Sequence, residues 1–84
     1  MDLKSWLKHI LEGMVFEPSL ITIEEKTDEM GILFTVSTTS ARDAGILIGQ
    51  KGEHVNALRI LLRTVGHLTG VKASLKINTN HGAN

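Results

Sequence analysis

Residues 49–52 read Gly-Gln-Lys-Gly, so two glycines enclose only two polar residues. Apolar residues recur at helical spacing on both sides of this segment, and we therefore expect a helix, a very tight turn and a second helix. The backbone N–H groups at the start of the second helix would face the turn, where the helix dipole adds partial positive charge to the full charge of Lys51. The turn is a candidate anion-binding site.

Two nucleotide-binding fingerprints also depend on glycine, and neither fits. A P-loop places a second glycine five residues after the first and a lysine directly after it. Counted from Gly45, that position is Gln50, and Gly52 follows Lys51 instead of preceding it. The dinucleotide fingerprint needs G-x-G after a strand, but no G-x-G occurs and a helix is expected before the turn. The sequence supports neither a nucleoside triphosphate nor a dinucleotide as ligand.

The residues that could do acid–base or nucleophilic chemistry form no recognisable constellation. The chain has no cysteine, which excludes a disulfide framework, a thiolate metal site and a cysteine nucleophile. Ser40 is expected to cap a helix. No pair of histidines has metal-ligand spacing on one helix face, and the four histidines are His9, His54, His67 and His81. We therefore predict a non-enzymatic protein without a cofactor or a metal.

Length and composition predict one small domain with an aliphatic core. A chain of 84 residues buries only about 60 to 65% of its unfolded surface. Its hydrophobic residues make up 42% of the sequence but include only three aromatic ones, which favours a small sheet covered by helices. No apolar run reaches the ~20 residues that cross a bilayer, and the N-terminal segment is charged. We predict a soluble, cytoplasmic protein.

The formal net charge is zero, but the charges are unevenly distributed. Residues 1–38 carry three basic and seven acidic side chains, a net charge of −4, whereas residues 39–84 carry six basic and two acidic ones, a net charge of +4. Such asymmetry indicates one acidic face and one basic face, with chance placement of the charges as the alternative. A basic face is what a polyanionic ligand would need.

The first segment is predicted to be an amphipathic helix. Its apolar residues follow helical spacing up to Met14, and Asp2 is favourably placed near the start. Gly13 and Pro18 are expected to end the helix. We expect Trp6, at the edge of the apolar stripe, to be a core or rim residue and not a platform for base stacking.

A β-hairpin is predicted next. Residues 20–26 are rich in β-forming side chains, with Ile21 and Ile23 on one face, and residues 32–37 alternate between two faces. Residues 27–31 supply the turn between the two strands. Four carboxylates cluster at the tip of the hairpin, which predicts a solvated acidic turn, with a metal site as the less favoured alternative. These carboxylates belong to Glu24, Glu25, Asp28 and Glu29.

Ser40 and Asp43 have the spacing of a capping box, in which the carboxylate of Asp43 would accept the N–H of Ser40. A short helix over residues 41–48 is predicted to follow. Gly45 leaves one side of this helix without a side chain, so a ligand or another backbone could approach closely.

The longest periodic segment, residues 53–69, predicts a second helix after the turn. Asn56, Arg59 and Arg63 line its polar face because they are three and four residues apart. Gly66 is expected to weaken the end of this helix. The apolar stripe that we expect to be buried consists of Val55, Leu58, Leu61, Leu62, Val65 and Leu68.

The last segments complete an α+β domain over residues 1–77. Residues 71–77 alternate as a strand, and the polar residues 78–84 are predicted to be a disordered tail. The connection between the second and third strands is long enough for a parallel crossover. We therefore expect a three-stranded mixed sheet with helices packed on one face, in the order α-β-β-α-α-β.

A G-x-x-G alone carries little weight, because it occurs by chance in roughly every third chain of this length. Here residues 47–55 read Leu-Ile-Gly-Gln-Lys-Gly-Glu-His-Val. This stretch resembles the Ile-Ile-Gly-x-x-Gly-x-x-Ile signature of the KH domain of RNA-binding proteins. The element order over residues 2–77 resembles the type II KH arrangement. In length and layout the chain is similar to the small stand-alone bacterial KH proteins of the KhpA type and to the KH portion of Jag-like proteins.

The resemblance implies a clamp for single-stranded RNA, in which the turn holds the sugar–phosphate backbone and the bases lie in an apolar groove. The last strand, near residues 73–75, would form the other wall of the groove. Solvated surface charge is the alternative for the basic residues of the track, and core packing is the alternative for the two apolar residues. The candidates are Gly49, Gln50, Lys51 and Gly52 in the turn, Gly45, Ile48 and Val55 in the groove, and Arg42, Arg59 and Lys72 along the phosphate track.

The leading hypothesis is a small, non-enzymatic protein that binds single-stranded RNA or, as a related ligand, single-stranded DNA. A single domain with few phosphate contacts binds weakly, so a homodimer or a second RNA-binding protein would add affinity. Neither a membrane nor a small-molecule substrate is expected as a partner. The alternative is a KH-fold protein-interaction or dimerisation module with weak or no RNA binding, which the acidic N-terminal half and the neutral net charge favour.

Overall fold

The computed structural model describes residues 2–78, which form three helices and three strands in the predicted order. Two 3₁₀ turns, Pro18–Leu20 and Gln50–Gly52, precede the first strand and the third helix. The second helix has the predicted bounds. The helices are α1 (Leu3–Met14), α2 (Ala41–Ile48) and α3 (Glu53–Leu68), and the strands are β1 (Ile21–Asp28), β2 (Gly31–Thr38) and β3 (Ala73–Asn78).

The three strands form one mixed sheet in the order β1-β2-β3, as predicted. The central strand β2 is antiparallel to β1 and parallel to β3. The hairpin is tighter than expected, because pairing continues as far as Asp28 opposite Gly31 and leaves only Glu29 and Met30 in the turn. The Oδ1 atom of Asp28 accepts the N–H of Met30 at 2.8 Å, which satisfies a backbone donor at the tip.

The helices pack on one face of the sheet, in agreement with the prediction. Phe34 and Leu75 are opposite each other in the parallel pair and both point into the core. Trp6 is half-buried and packs against the core, so it is a rim residue as expected. The buried cluster is aliphatic apart from Phe34, and its members are Leu3, Leu7, Leu11, Phe34, Val36, Leu47, Val55, Leu58, Leu62, Ala73 and Leu75.

Helix α1 begins with a side-chain cap. The carboxylate of Asp2 accepts the N–H of Lys4 at 3.1 Å and the hydroxyl of Ser5 at 2.8 Å. The hydrogen bond from Ser5 is the main cause that lowers the pKa of Asp2. At the other end the helix continues through Gly13 to Met14, and Pro18 lies beyond it at the start of the 3₁₀ turn.

The predicted capping box at the start of α2 is only half correct. The hydroxyl of Ser40 accepts the N–H of Asp43 at 3.1 Å, but the N–H of Ser40 donates to Thr38 and not to Asp43. The carboxylate of Asp43 is fully buried and accepts the backbone N–H groups of Phe16 and Glu17 at 3.1 and 2.9 Å. Asp43 therefore fastens α2 to the segment that follows α1.

The buried stripe of α3 is narrower than predicted. Leu61 and Leu68 are 48% and 78% exposed, whereas Val55, Leu58, Leu62 and Gly66 are buried and Val65 is half-buried against the core. At Gly66 a Cβ atom would lie 2.7 Å from the carbonyl oxygen of Val71, and the N–H of Val71 donates to Gly66 at 2.7 Å. The glycine thus lets the chain turn back closely against α3.

The predicted polar tail begins one residue too early. Asn78 is the last residue of β3, because its pairing with Ser37 extends the parallel ladder. The rest of that segment, residues 79–84, lies outside the described residues.

Candidate nucleic-acid interface

The turn between α2 and α3 has an unusual backbone conformation. Gly49 ends α2, and its N–H donates to the carbonyl of Gly45 at 2.8 Å. Lys51 and Gly52 then have φ angles of 56° and 77°, so two successive residues occupy the left-handed region. No side chain caps α3 at Gly52, which leaves the first N–H groups of the helix without a side-chain acceptor. A turn of this kind can receive an anion.

Gly49 is needed for close packing across the turn. A Cβ atom at this position would lie 2.6 Å from Cγ of His54 and 2.7 Å from its backbone nitrogen. The imidazole Nδ1 of His54 is itself 2.6 Å from the carbonyl oxygen of Ile46, an arrangement in which the ring donates. His54 is exposed, as predicted, but its ring ties α3 to the end of α2.

Charge at the turn is mixed. Gln50 and Lys51 are exposed and provide one neutral and one cationic donor. Glu53 lies in the first turn of α3, where its carboxylate adds negative charge next to Lys51. The backbone N–H groups and Lys51 must therefore attract an anion strongly enough to overcome the repulsion from one nearby carboxylate.

The three apolar groove candidates differ in how much surface they offer. Gly45 is exposed, and a Cβ atom there would meet no other atom within 4 Å. Ile48 is half-buried and packs against the edge of the core. Val55 is only 7% exposed and belongs to the core. Of these three candidates, Gly45 and Ile48, one helical turn apart on α2, are therefore the two with surface open to a ligand.

Arg42 lies at the other end of α2 from the turn. Its guanidinium carbon is 4.3 Å from the centre of the exposed Phe16 ring, which is a cation–π distance. The neighbouring Asp43 holds the backbone of Phe16, so the position of this pair is fixed by a buried group. The structure does not bring Arg42 together with the other two basic candidates.

Arg59 and Lys72 line the same cavity, of about 430 Å³, between α3, the start of β3 and the hairpin. The Nε atom of Arg59 donates to the carbonyl of Leu75 at 3.1 Å. We call this the edge cavity. Its side chains include Lys26, Met30, Leu33, Arg59, Arg63 and Lys72.

Two basic residues of the edge cavity were not among the sequence candidates. Arg63 has a sequence signal, because it shares the polar face of α3 with Arg59. Lys26 has none, since it lies among the carboxylates of the hairpin and reaches the cavity only through the pairing of β1 with β2. The sequence predicts Gly31 only as part of the hairpin turn, but it also borders this cavity, and a Cβ atom there would collide with the carbonyl oxygen of Lys72.

Comparison with known proteins identifies the family to which the fold belongs. A family profile described as the KH domain of KhpA/KhpB matches residues 4–77. The chain belongs to this KH-domain family. The resemblance noted in the sequence is therefore confirmed. The KhpA/KhpB KH family is not an enzyme family, in agreement with the prediction of a non-enzymatic protein.

Curated relatives cover nearly the whole domain. The RNA-binding protein KhpA of Chlamydia caviae is 32% identical over 75 residues, which span 89% of this chain and 95% of that protein. The protein of the same name from Chlamydia pneumoniae is 31% identical over the same length and coverage. The KH domain of this chain thus has the extent of the KhpA proteins it matches.

A solved structure supports the fold alone. The crystal structure of a variant of Aquifex aeolicus Era bound to GDP and AlF4⁻ matches 92% of this chain with a TM-score of 0.62. The identity is 16%, and the match covers 29% of the Era chain. Between residues 2 and 78, none of the helices has both the length and the apolar character needed to span a membrane.

Proposed function

We propose that the protein binds single-stranded RNA through the turn between α2 and α3. The observation that carries the proposal is the pair of left-handed residues, Lys51 and Gly52, in front of a helix start without a side-chain cap. Phosphate oxygens are the ligands that such N–H groups attract, and Gly49 and Gly52 let the sugar–phosphate backbone approach closely. Relatives named RNA-binding protein KhpA support this choice among anions.

The bases of the bound strand would lie on α2. Gly45 and Ile48 form the exposed, uncharged surface next to the turn, and the absence of a Cβ at Gly45 leaves room for a flat ring. RNA-binding modules of this class clamp about four nucleotides. With two or three phosphates neutralised, the slope of log K against log salt would be only about −1.4 to −2.1, so one domain binds weakly.

The test is a titration of short oligoribonucleotides against the wild type and the double variant Gln50→Asp, Lys51→Asp. Aspartate is among the residues that tolerate the left-handed conformation of position 51, so the turn keeps its shape while its charge is reversed. We expect at least a tenfold loss of affinity. Equal affinity of the two proteins would remove the turn from the interface.

A matched control separates the turn from the net charge. The double variant Lys8→Asp, His9→Asp likewise replaces one lysine and one adjacent polar side chain by aspartate, here at exposed positions of α1. We expect it to bind RNA with an affinity close to that of the wild type, apart from a small uniform loss from long-range repulsion. Circular dichroism of both variants shows whether they keep the native helix content.

A second candidate function is a protein-interaction or dimerisation module, and one observation favours it. Ile60, Leu61 and Leu68 are 53%, 48% and 78% exposed on α3, where the domain offers them no partner among the described residues. Size-exclusion chromatography with light scattering would detect self-association. A pull-down with and without ribonuclease separates protein partners from RNA-bridged ones, since loss of every partner after ribonuclease would count against an adaptor.

A further inference from the structure

Strand β1 lies at an edge of the sheet, because the strand order is β1-β2-β3 and no segment within residues 2–78 pairs with its outer side. Its pairing with β2 runs from Ile21 to Asp28 in one unbroken register, without a bulge or a proline. Residues 24–28 are exposed. Proteins usually protect an edge of this length with a bulge, a proline or a covering element, because a regular edge accepts a further strand. The outer side of β1 is therefore able to pair with another segment.

The backbone groups on the outer side of β1 belong to alternate residues. The N–H of Ile32 donates to Lys72 on the β3 side, so the pair of Ile32 with Thr27 carries no hydrogen bond between β1 and β2. The N–H of Ile21 already donates to the carbonyl of Pro18. With a period of two, the residues whose N–H and C=O groups point away from β2 are Ile21, Ile23, Glu25 and Thr27. Three N–H donors at alternate positions are thus open to a partner strand.

Helix α1 forms a groove with this edge. Lys4, Lys8 and Glu12 are four residues apart, so they form one stripe on the exposed side of α1. The stripe and the start of β1, residues 21–23, enclose a space of about 260 Å³. We call this space the α1–β1 groove. A strand added to β1 would run along it, with alternate side chains directed toward the stripe.

The charge of the α1–β1 groove changes sign along its length. Asp2, Lys4 and Glu25 line a neighbouring cavity, so the N-terminal end of α1 lies near Glu25. Glu12 lies at the other end of the stripe, where Pro18 lines the groove. The two lysines are therefore between carboxylates at both ends. Two negative charges on a partner fit this pattern, whereas a longer acidic run would meet Glu25 or Glu12.

The spacing of the lysines matches that of alternate residues on a strand. Lys4 and Lys8 are separated by about 6 Å along the helix axis, at a rise of 1.5 Å per residue. Side chains two residues apart on a strand share one face and are about 6.8 Å apart. Ile21 and Ile23 pack against the core on the helix side of the sheet, and the partner residues opposite them have side chains on that same side. Carboxylates at those two partner positions would lie beside the two lysines.

We propose that the α1–β1 groove binds an extended segment of another protein, which adds a fourth strand antiparallel to β1 and carries two carboxylates two residues apart. Main-chain hydrogen bonds to β1 supply the affinity, and Lys4 and Lys8 supply the preference for the acidic pair. The edge of β3 is less suited to this role. There the Nε atom of Arg59 donates to the carbonyl of Leu75 at 3.1 Å, so a side chain of α3 already uses a backbone acceptor.

The probe is a capped seven-residue peptide, Thr-Val-Thr-Val-Glu-Val-Glu. Paired antiparallel to residues 21–27, it places its glutamates opposite Ile23 and Ile21 and a threonine opposite Glu25. In an NMR titration, we expect the amide signals of Ile23, Glu25 and Thr27 to shift most, because their N–H groups gain acceptors. A peptide with glutamine in place of both glutamates should bind about fivefold more weakly, as two exposed ion pairs predict.

A methylated peptide separates strand addition from simple charge attraction. N-methylation of the second threonine and the first glutamate removes the two N–H groups that would donate to β1, while both carboxylates remain. We expect at least a tenfold loss of affinity. The variant Glu25→Pro removes the central donor from the protein side. Because the N–H of Glu25 points away from β2, proline there leaves the β1–β2 ladder intact, and the variant should bind the unmethylated peptide at least fivefold more weakly.

Charge reversal tests the role of the two lysines. Lys4→Glu, Lys8→Glu should bind the glutamate peptide at least fivefold more weakly than the wild type, and should bind a peptide with two lysines in place of the glutamates more tightly than the wild type does. Lys72→Glu, Lys76→Glu is the matched control, since it makes the same change in net charge at exposed positions near the other edge of the sheet. We expect the control to keep the preference for the glutamate peptide.

Several results would overturn the proposal. One is equal binding of the methylated and unmethylated peptides, and another is unchanged binding of the glutamate peptide by Lys4→Glu, Lys8→Glu. Light scattering that shows a dimer of the wild type and a monomer of Glu25→Pro would make a second copy of the chain the occupant of the edge. The turn variant Gln50→Asp, Lys51→Asp should bind the peptide as the wild type does, so failure of RNA binding at the turn leaves this test unaffected. Loss of peptide binding in the turn variant would place the peptide at the turn and contradict the proposal.

Discussion

The Nδ1 atom of His54 lies 2.6 Å from the carbonyl oxygen of Ile46, across the turn that joins α2 to α3. This contact satisfies one of the carbonyls at the end of α2, which otherwise have no partner within the helix. It also brings the two helices together around residues 49–52. The conformation of the turn therefore depends on a side chain outside the G-x-x-G sequence.

Replacement of His54 by alanine should loosen the turn. We expect the free energy of unfolding to fall by about 1 kcal/mol, the usual net value of one hydrogen bond, and RNA affinity to fall with it because the N–H groups are less well ordered. Urea denaturation and RNA titration measure the two effects. His67→Ala, which removes another exposed histidine of α3, is the control; a similar loss there would show that the hydrogen bond is not the cause.

Gly49→Ala should be strongly destabilising. Alanine at position 49 would have to adopt a φ of 78°, and its Cβ would lie 2.6 Å from Cγ of His54. The strain of a positive φ and the overpacking together should lower the free energy of unfolding by about 2 to 4 kcal/mol, which thermal or urea unfolding measures. The double variant Gly49→Ala, His54→Ala should recover little of this loss, because the backbone nitrogen and Cβ of residue 54, which would lie 2.7 and 2.9 Å from the new Cβ, remain in place. Recovery of most of the loss would show instead that the imidazole ring is the source of the overpacking.

Gly45→Ala should have opposite effects on stability and on RNA binding. The position is helical and open, so alanine should raise the free energy of unfolding by roughly 0.5 to 1 kcal/mol. The added methyl group would occupy the surface assigned to a base and lower RNA affinity. A more stable variant with unchanged affinity would exclude Gly45 from the interface.

Asp43→Asn should destabilise the domain, although it only replaces one carboxylate oxygen by an NH₂ group. The buried carboxylate accepts two backbone N–H groups, from Phe16 and Glu17, whereas an amide can accept one and must turn its NH₂ toward the other donor. We expect the free energy of unfolding, measured by urea denaturation, to fall by about 2 to 3 kcal/mol. Asp28→Asn is the control, since that exposed side chain accepts one N–H and its amide can still do so; an equal loss in both variants would contradict this role of Asp43.

The sequence predicted the elements because each of them buries one face. The alternation in residues 32–37 and 71–77 and the helical spacing in residues 53–69 reflect contact with a single core, and such contact is periodic along the chain. The turn was predictable for a similar local reason, since two glycines three residues apart leave few ways to join two helices.

Contacts between distant parts of the chain were not predictable in this way. The spacing of Ser40 and Asp43 suggested a local capping box, but the donors to Asp43 come from residues 26 and 27 positions earlier. No local sequence pattern predicts that backbone donors so distant in the chain will bind this carboxylate in place of the N–H of Ser40. Lys26 reaches the edge cavity through strand pairing. Leu61 is exposed because no other element within residues 2–78 covers that side of α3.

The most direct test of the central claim is an NMR titration that follows the backbone amides as single-stranded RNA is added. If the turn holds the phosphates through its N–H groups, the amide signals of residues 50–53 shift most, and those of Gly45 and Ile48 shift with them. The same signals stay in place in the Gln50→Asp, Lys51→Asp variant. Shifts confined to the exposed apolar side of α3, around Ile60 and Leu61, would contradict the account.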